Sequence, residues 1–273
     1  MPEDKPSLAR RQLGAELRNL RAAAGLTATE AGEELMMHRN SIINIEKGKN
    51  GTKPHVVKAL CELYDAPPEV LSQLTGLVFK GKQRGLWESR MPGLEPRLRW
   101  FASAEQEYGL IQTWEPLYIP GLLQVPEYLE ALRAVGPAMD EKATAAIKDI
   151  RFKRQELVMA REPMPEIQMI VGETALRNLD GLPEIKGPQL NRLIELTRLH
   201  NVDIRVLSGL HPAMTGAFTV LSPDPEPDDE LSFVYIDALD GCRYVEDATV
   251  VSRYVETFDM IYQMAVLLEE YLR

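Results

Sequence analysis

Residues 26–48, LTATEAGEELMMHRNSIINIEKG, constrain the fold of this chain more than any other stretch. They hold two short helical patterns, and the few residues between them leave room only for a tight turn. Thr27, with Glu30 three residues later, forms the capping-box pattern that starts a helix. Ile42 and Ile45 lie three residues apart in the second pattern, so they share one face of a helix. The stretch therefore predicts two short helices that pack closely across a turn.

Three further helical patterns surround this pair. The first covers residues 7–24 and ends at Gly25, a residue type suited to the end of a helix. The other two begin near Pro54 and Pro67, because proline is favoured in the first turn of a helix. Together these patterns predict a mainly α bundle of about five helices over residues 1–76.

The rest of the chain reads as a linker and a second domain. Residues 77–96 mix glycine, proline and basic residues without a clear period, which predicts a linker. In residues 97–273, helices are predicted at residues 98–113, 125–135, 140–159, 188–200 and 250–272, and strands at residues 167–171, 202–207, 218–221, 233–236 and 242–245. Helices followed by strands and a last helix are typical of an α+β domain, which we expect to contain a small sheet.

Basic charge is concentrated near the N-terminal end of an acidic protein. The net charge of the chain is −10. Residues 1–53 nevertheless contain nine basic and seven acidic side chains, and residues 77–99 contain six basic and two acidic ones. A basic end on an acidic body suits a protein that presents one end to DNA, and it argues against one that coats DNA with its whole surface.

Cysteine usage and hydropathy favour a cytoplasmic protein. Cys61 and Cys242 are far apart and belong to no disulfide or metal-binding motif, which fits a reducing compartment. The first residues lack the apolar segment of a secretory signal, and no apolar run is long enough to span a membrane. We expect a cytoplasmic protein that is associated with the nucleoid when it is bound to DNA.

The two helices of residues 26–48 resemble the helix-turn-helix of XRE-family repressors from bacteria and phages. The matching positions are Leu26, Thr27, Glu30, Leu35, Arg39, Ile42, Ile45, Glu46 and Gly48. Ala28 stands where family members have a glutamine, Met36 where they have the turn glycine, and His38 where they have a capping serine. The resemblance implies that the second helix enters the major groove of operator DNA.

The resemblance further implies which side chains contact DNA. It places Arg39, Asn40 and Asn44 against base edges, where arginine can pair with guanine and asparagine with adenine. Ile43 lies on the outward side between the two asparagines, where it contacts either a thymine methyl group, which we favour, or another protein. Phosphate contacts are expected from Thr27, His38, Lys47, Lys49 and Lys53. Glu46, by contrast, is expected to hold the fold together.

Later stretches resemble the WhiJ-like regulators of actinomycetes, in which a helix-turn-helix precedes a long domain of unknown function. The matching stretches are residues 114–124 (WEPLYIPGLLQ), Tyr128, Arg151, and residues 154–155, 173–177, 189–190, 201–207, 216–218 and 234–236. Such regulators commonly bind a small protein encoded by a neighbouring gene, and some of these pairs are described as toxin and antitoxin. The resemblance implies a partner of this kind.

Two apolar stretches of the C-terminal domain allow two interpretations each. Residues 122–132 and their surroundings form either a partner or ligand groove or plain core, and the candidate contact residues are Trp114, Tyr118, Leu122, Gln124 and Tyr128. The last helix either lines a dimer interface or belongs to the core, through Tyr254, Phe258, Ile261, Tyr262 and Leu268.

No catalytic motif accompanies the polar residues of the C-terminal domain. Those most open to a chemical role are Glu107, Glu115, Arg151, Arg154, Glu173, Arg177 and His211. No nucleophile with a base, metal-ligand spacing or phosphate-binding loop surrounds them. Four scattered histidines also argue against a metal site. We therefore expect a protein that is not an enzyme and that has no catalytic residue, cofactor or bound metal.

These features favour a sequence-specific, DNA-binding transcriptional regulator. It would act as a homodimer, because one recognition helix reads too few bases for specificity. We expect the C-terminal domain to dimerise and to bind a small partner protein that modulates DNA binding. One alternative is an antitoxin-like protein that neutralises this partner and autoregulates its operon. Another is a regulator that senses a small molecule in a C-terminal pocket.

Overall fold

The computed structural model describes residues 8–80, 87–89, 101, 104–106, 108–136, 141–223, 232–238 and 241–273. The chain forms two compact units, with the main division between Trp87 and Glu88. The N-terminal unit is helical, and the C-terminal unit combines a mixed sheet with helices. In the part of the chain that is described, no helix is long and apolar enough to cross a membrane.

The described residues of the N-terminal unit contain the predicted bundle of five helices. These are α1 (Leu8–Ala23), α2 (Ala28–Glu34), α3 (Arg39–Glu46), α4 (Pro54–Leu63) and α5 (Pro68–Lys80). The capping box of α2 is present: the Glu30 amide donates to Thr27 Oγ1 over 3.2 Å, and the Thr27 amide donates to Glu30 Oε2 over 2.7 Å. Two backbone donors at the helix start are thereby satisfied.

The linker predicted at residues 77–96 is corrected in two places. α5 continues through Lys80, because Leu77 and Val78 are buried and extend the apolar stripe of the helix. Trp87–Ser89 forms a short strand, β1. The rest of this segment lies outside the described residues.

The C-terminal unit is built on a mixed sheet. Its other strands in the described residues are β2 (Leu110–Glu115), β3 (Glu166–Gly172), β4 (Val202–Leu207), β5 (Phe218–Ser222), β6 (Phe233–Ala238), β7 (Gly241–Val245) and β8 (Val266–Leu267). The order across the sheet is β1-β7-β6-β5-β2-β3-β4-β8. β2, β3 and β4 pair in parallel, whereas β5 pairs antiparallel with β2, and β6 and β7 follow antiparallel.

Helical connections explain the parallel part of the sheet. The described helices of this unit are α6 (Pro126–Val135), α7 (Glu141–Met159), α8 (Glu173–Arg177), α9 (Pro183–Leu196), α10 (Ala248–Met264) and α11 (Leu268–Tyr271). α6 and α7 connect β2 to β3, and α8 and α9 connect β3 to β4, so each strand can run parallel to the one before it. All five predicted strands are present as β3 to β7, and the predicted α+β class is confirmed.

β2 replaces the end of the helix predicted at residues 98–113. Leu110–Glu115 pairs with β3 on one side and with β5 on the other. Its residues are buried or partly buried on both faces, so its sequence lacks the alternation that marks a half-exposed strand. β2 forms a strand because it pairs with two neighbouring strands, and the local periodicity of its sequence contains no information about those partners.

The helix predicted at residues 250–272 is interrupted. α10 ends at Met264, and Val266–Leu267 forms β8, which pairs antiparallel with β4 at the edge of the sheet. The chain then resumes as the short helix α11. The pairing of β8 with β4 therefore outweighs the helical pattern of the sequence at these two residues.

The sequence left open whether five residues of the last helix belong to the core or to a dimer interface, and the structure packs them into or against the core. Phe258, Ile261 and Leu268 are fully buried. Tyr254 and Tyr262 are partly buried and pack against the hydrophobic cluster that contains Phe258. The core interpretation accounts for the three buried side chains within a single chain.

The two faces of the sheet have different surroundings. On one face, Trp114 belongs to a hydrophobic cluster with Phe258 of α10. Side chains alternate along a strand, so the residue before Trp114 points to the opposite face. There, paired residues of four adjacent strands form one cross-strand row: Met169, Thr113, Thr219 and Tyr235. The hydroxyl oxygens of the two threonines lie 3.0 Å apart.

The turn between α2 and α3 has a left-handed residue although its glycine is replaced. Met36 has a φ of 53°, a conformation that costs an ordinary L-residue about 1 kcal/mol. Its side chain is 96% exposed, so packing does not offset this cost. The Met37 amide donates to Gly32 O over 2.7 Å and closes the turn. A Cβ on Gly32 would lie 2.6 Å from Met37 O, so a glycine is needed there instead.

We expect Met36→Gly to stabilise the N-terminal unit by about 0.5–1 kcal/mol, because the relief of left-handed strain exceeds the entropy that glycine adds to the unfolded chain. Native-state hydrogen exchange of the α3 amides in the full chain measures this change. Met36→Ala is the matched control, since it removes the exposed side chain but retains Cβ and the strain. Equal exchange free energies in the two variants would contradict the assignment of strain to Met36.

Candidate functional site

α3 has an inner and an outer face. Ile42 and Ile45 are buried within the N-terminal unit, as the sequence predicts. The four predicted base-reading residues keep exposed or partly exposed surface: Arg39, Asn40, Ile43 and Asn44. The helix therefore presents these four side chains together, and their contacts with bases stay a prediction.

Exposed polar residues flank α3 at both ends. The five predicted phosphate-contacting residues are all exposed: Thr27, His38, Lys47, Lys49 and Lys53. His38 caps α3, because its Nδ1 accepts a hydrogen bond from the Asn40 amide over 3.2 Å. A histidine thus serves as the helix cap in place of the serine of the XRE pattern.

A largely buried ion pair connects the end of α3 to α1 on the inner side of α3. Arg21 of α1 donates from Nε to Glu46 Oε1 over 2.6 Å and from Nη2 to Glu46 Oε2 over 2.8 Å. Its Nη1 donates to Leu26 O over 2.8 Å, which ties the segment before α2 to the same side chain. Glu46 is 7% exposed, and its hydrogen bond raises the pKa of Arg21. The structural role expected for Glu46 is confirmed, whereas sequence reasoning missed Arg21.

Two glycines allow α1 to touch the end of α3. A Cβ on Gly14 would lie 2.3 Å from Glu46 O, and a Cβ on Gly48 would lie 2.9 Å from the backbone of Arg11. Gly48 also has a φ of 69°, the left-handed conformation of a residue that follows a helix. Gly14 is an isolated glycine inside a helical pattern, and that signal could have indicated the close contact.

Most of the predicted partner or ligand residues lie inside the C-terminal unit. Four of the five are buried: Trp114, Leu122, Gln124 and Tyr128. Trp114 Nε1 donates to Ala213 O over 2.9 Å, and the Ile119 amide donates to Tyr128 Oη over 3.2 Å. Tyr118 is 37% exposed and is the member of this set that remains accessible.

The loop of residues 119–124, which carries the IPGLLQ motif, is held by side chains. Three buried glutamines donate to its carbonyls: Gln124 to Ile119 O over 2.6 Å, Gln155 to Gly121 O over 2.7 Å and Gln189 to Leu123 O over 2.8 Å. Two of these donors come from α7 and α9, so distant parts of the chain fix the loop.

A cavity of about 100 Å³ lies between this loop, the sheet and α7. The sheet supplies the cross-strand row described above, the loop supplies Gly121 and Leu122, and α7 supplies Arg151 and Arg154. Tyr118 lies beside the loop and also lines the cavity. Sequence reasoning singled out both arginines as polar residues, but no local pattern indicated that they share a cavity.

The two arginines of the cavity differ in how their charges are balanced. Arg154 forms a bidentate ion pair with the buried carboxylate of Glu105, and one of its two hydrogen bonds, from Nη2, measures 2.7 Å. Arg151 Nη1 donates to the neutral side chain of Gln124 over 2.8 Å, and its buried Nε has no partner in the described part of the chain. Burial and the neighbouring Arg154 lower the pKa of Arg151 to about 10, so its guanidinium stays charged at neutral pH.

Glu115, at the end of β2, lines the same cavity and is 5% exposed. The Leu117 amide donates to Glu115 Oε1 over 3.3 Å, and Tyr118 forms a side-chain hydrogen bond with the same carboxyl group. Burial raises the pKa of Glu115 to about 7, with a further increase from Asp237 and a partial decrease from the hydrogen bonds. The carboxyl group is therefore about half protonated at neutral pH.

The other described polar residues that the sequence singled out form hydrogen bonds within the fold. Arg177 pairs with Glu173 over 2.8 Å within α8, and the Ala213 amide donates to His211 Nδ1 over 3.2 Å. Glu107 lies outside the described residues. Across the described ranges, no group of three or more His, Cys, Asp or Glu side chains is arranged to hold a metal ion.

We expect the burial of Glu115 to make stability fall as pH rises from about 4.5 to about 7, because the unfolded carboxyl ionises in this range while the folded one keeps its proton. Glu115→Gln should remove this dependence and stabilise the protein at pH 8 by up to about 3 kcal/mol, with little change at pH 4. Urea unfolding followed by tryptophan fluorescence measures both values. Glu156→Gln, an exposed site on α7, is the control. A Glu115→Gln variant that is less stable than the wild type at pH 8 would refute the burial penalty.

Comparisons with known proteins match both units. A model of a helix-turn-helix domain matches residues 12–74, and a model of a domain of unknown function (DUF5753) matches residues 98–270. The crystal structure of the clp gene regulator ClgR from C. glutamicum is similar with 22% identity and a TM-score of 0.23. This likeness covers 29% of the present chain and 97% of the ClgR chain. No curated protein sequence matches.

The match to the domain of unknown function covers more than half of the chain. The helix-turn-helix match covers the segment that contains α3 and the Arg21–Glu46 ion pair. The chain therefore belongs to the DUF5753 family, and its N-terminal helix-turn-helix domain supports a DNA-binding transcriptional regulator.

Proposed function

We propose that this chain is a sequence-specific transcriptional regulator that binds operator DNA as a homodimer through α3 of each protomer. The observation that carries the proposal is the outer face of α3, where four candidate base-reading side chains project from a helix anchored on its inner face. The expected identity as a WhiJ-like regulator belongs to this proposal, and it rests on the resemblance of the sequence.

The spacing of the outer residues suits a major groove. Arg39 and Ile43 are four residues apart, and so are Asn40 and Asn44, so they form two adjacent rows on the helix surface. Guanidinium and amide groups can form paired hydrogen bonds with base edges, and an apolar side chain beside them can contact a thymine methyl group. This set of side chains discriminates among bases, in contrast to lysines, which bind phosphates as point charges.

The flanking polar residues would fix the register of α3 on the duplex. Thr27 caps α2 and His38 caps α3, the two helices of the motif, and three exposed lysines follow α3. Contacts of these residues with phosphates would supply affinity that depends on salt and carry no sequence information. Base reading and positioning would therefore be divided between the outer face of α3 and its two ends.

The C-terminal domain is the proposed site of dimerisation and of binding to a small partner protein. Dimerisation is supported by the short reach of one recognition helix, which reads too few bases to select an operator. The partner is supported by the WhiJ-like resemblance, as is the alternative in which the chain neutralises that partner like an antitoxin. A second candidate function, the sensing of a small molecule, is favoured by the cavity beside Arg151.

We expect Arg39→Ala and Asn44→Ala each to weaken binding to a fragment of the protein's own promoter by about 10- to 100-fold, because each removes hydrogen bonds to a base edge. Binding to random DNA should change much less. Lys53→Ala, by contrast, should weaken binding to both DNAs by a similar factor and reduce its dependence on salt. Gel-shift titrations at two salt concentrations measure these effects.

Lys186→Ala is the matched control, because it also removes one positive charge but lies on α9 of the C-terminal unit. It should leave both affinities unchanged. The regulator proposal fails if the wild type shows no preference for any promoter fragment over random DNA at physiological salt. The base-reading role fails if Arg39→Ala weakens both DNAs equally.

Footprinting of the upstream region, with and without the product of any small gene that neighbours this one, tests whether a partner protein modulates DNA binding. We expect the protected region to span two half-sites and its affinity to change when the product is added, because linkage requires two coupled sites to affect each other. Toxicity of the product expressed alone, relieved by this chain, would favour the antitoxin-like alternative. A footprint that the product leaves unchanged over a wide concentration range would contradict modulation by a partner.

A further inference from the structure

We propose that the cavity of the C-terminal unit binds a short-chain aliphatic monocarboxylate, whose carboxylate group pairs with Arg151. The inference rests on the second candidate function, the sensing of a small molecule, and deepens it by naming the ligand class; binding of this ligand does not require DNA. It assigns a ligand class to a cavity in a domain whose function is unknown.

The position of the cavity in the sheet suits a binding site. It lies at the carboxyl end of β2, where Thr113 and Glu115 line it. β2 pairs in parallel with β3 and antiparallel with β5, so the direction of the sheet changes at this strand. Sheets of α/β type bind ligands beyond the carboxyl ends of strands at points where the chain connections diverge and leave a crevice.

Arg151 gives the cavity its charge. Its guanidinium lines the cavity, donates to one neutral amide and leaves Nε buried without a partner among the described residues. Gly121 leaves room for this group, because a Cβ there would lie 2.7 Å from Arg151 Nη1. A buried cation without a counter-ion is costly, so a bound anion would relieve this cost and gain a charge-assisted hydrogen bond.

In the described part of the chain, Arg151 is the cavity cation that has no carboxylate as a hydrogen-bond partner. Arg154 is balanced by Glu105 in a bidentate ion pair. Glu115 accepts from the Leu117 amide, and burial raises its pKa to about 7, so its carboxyl group is mostly protonated and neutral below that pH. Asp237, the other carboxylate that lines the cavity, is exposed to water. One cation without a paired carboxylate matches an anion of single charge, whereas a dianion such as sulfate would need a second cation.

The walls and the volume define the rest of the ligand. Phe101 and Tyr235 stack with their ring centroids 4.2 Å apart, and Leu122 and Met169 add aliphatic surface. A cavity of roughly 150 Å³ holds benzene, so the present one, about 100 Å³, suits a smaller apolar group. A body of three or four carbon atoms, about the size of a propyl or isopropyl group, therefore fits better than an aromatic ring.

Isothermal titration of the full chain with isobutyrate at pH 6, where Glu115 is mostly protonated, tests the proposal. We expect one isobutyrate to bind per chain and isobutyramide, its neutral analogue of the same shape, to bind about 10- to 100-fold more weakly, because the amide lacks the charge that pairs with Arg151. Benzoate should bind more weakly than isobutyrate, because its ring exceeds the cavity. Sulfate, a dianion without an apolar body, should not compete at equal concentration.

Two variants separate a specific site from general binding. Arg151→Gln should weaken isobutyrate binding by about 10- to 100-fold. Lys153→Gln, which removes the same charge from an exposed position two residues along α7, should leave it unchanged. Ala217→Leu keeps Arg151 but fills the cavity, so it should abolish binding even if Arg151→Gln disturbs folding. Circular dichroism reports whether each variant is folded.

Four results would overturn the proposal: no isobutyrate binding at millimolar concentrations, equal affinity for isobutyramide, equal competition by sulfate, or unchanged affinity in folded Arg151→Gln or Ala217→Leu. Benzoate binding as tight as isobutyrate would refute the size assignment. The gel shift with promoter DNA is a separate measurement, so a failure of the ligand proposal and a failure of the regulator proposal are distinguishable.

Discussion

The bidentate ion pair between Arg21 and Glu46 sets the geometry on which the DNA-binding surface depends. One guanidinium group reaches α1, the end of α3 and, through Leu26 O, the segment before α2. Both partners lie largely away from water, where either charge alone would cost several kcal/mol, so the pair is kept together. Gly14 brings the two helix backbones into contact beside it. The outer face of α3 is thus oriented by interactions that lie behind it and involve none of the side chains proposed to contact bases.

Local patterns in the sequence predicted those elements whose structure is decided locally. The capping box at Thr27 and the strands with clear alternation form as expected. The misses share one cause. β2 is buried by neighbours on both sides, and β8 adds two residues to the edge of the sheet. In each case a pairing with residues far away in sequence outweighs the helical periodicity, and periodicity contains no information about such partners.

The outer face of α3 and the cavity of the C-terminal unit also differ in how far the sequence predicts them. The residues of α3 follow one another within eight positions, so a resemblance to a known motif was enough to group Arg39, Asn40, Ile43 and Asn44. The cavity instead is lined by residues of four strands, a loop and α7, and the register of the sheet brings its strand residues together. The sequence singled out Arg151 and Arg154 as polar, yet only the fold shows that Glu105 pairs with Arg154, whereas Arg151 has no carboxylate as a hydrogen-bond partner among the described residues. Charge balance in a cavity is a property of three-dimensional contacts.

The loop of residues 119–124 has a consequence for how this domain can vary. Surface loops usually tolerate substitution, because water can satisfy their backbone groups whatever the side chains are. Here three glutamines satisfy the loop carbonyls from inside, and each must supply an N–H donor at a fixed length. A glutamate would present an oxygen to a carbonyl, and an asparagine would be one methylene too short. The identity of three glutamines, spread over 66 positions of the chain, is therefore tied to the shape of one short loop. Because Gly121 and Leu122 of this loop line the cavity, a change at any of the three glutamines would also alter the shape of the cavity.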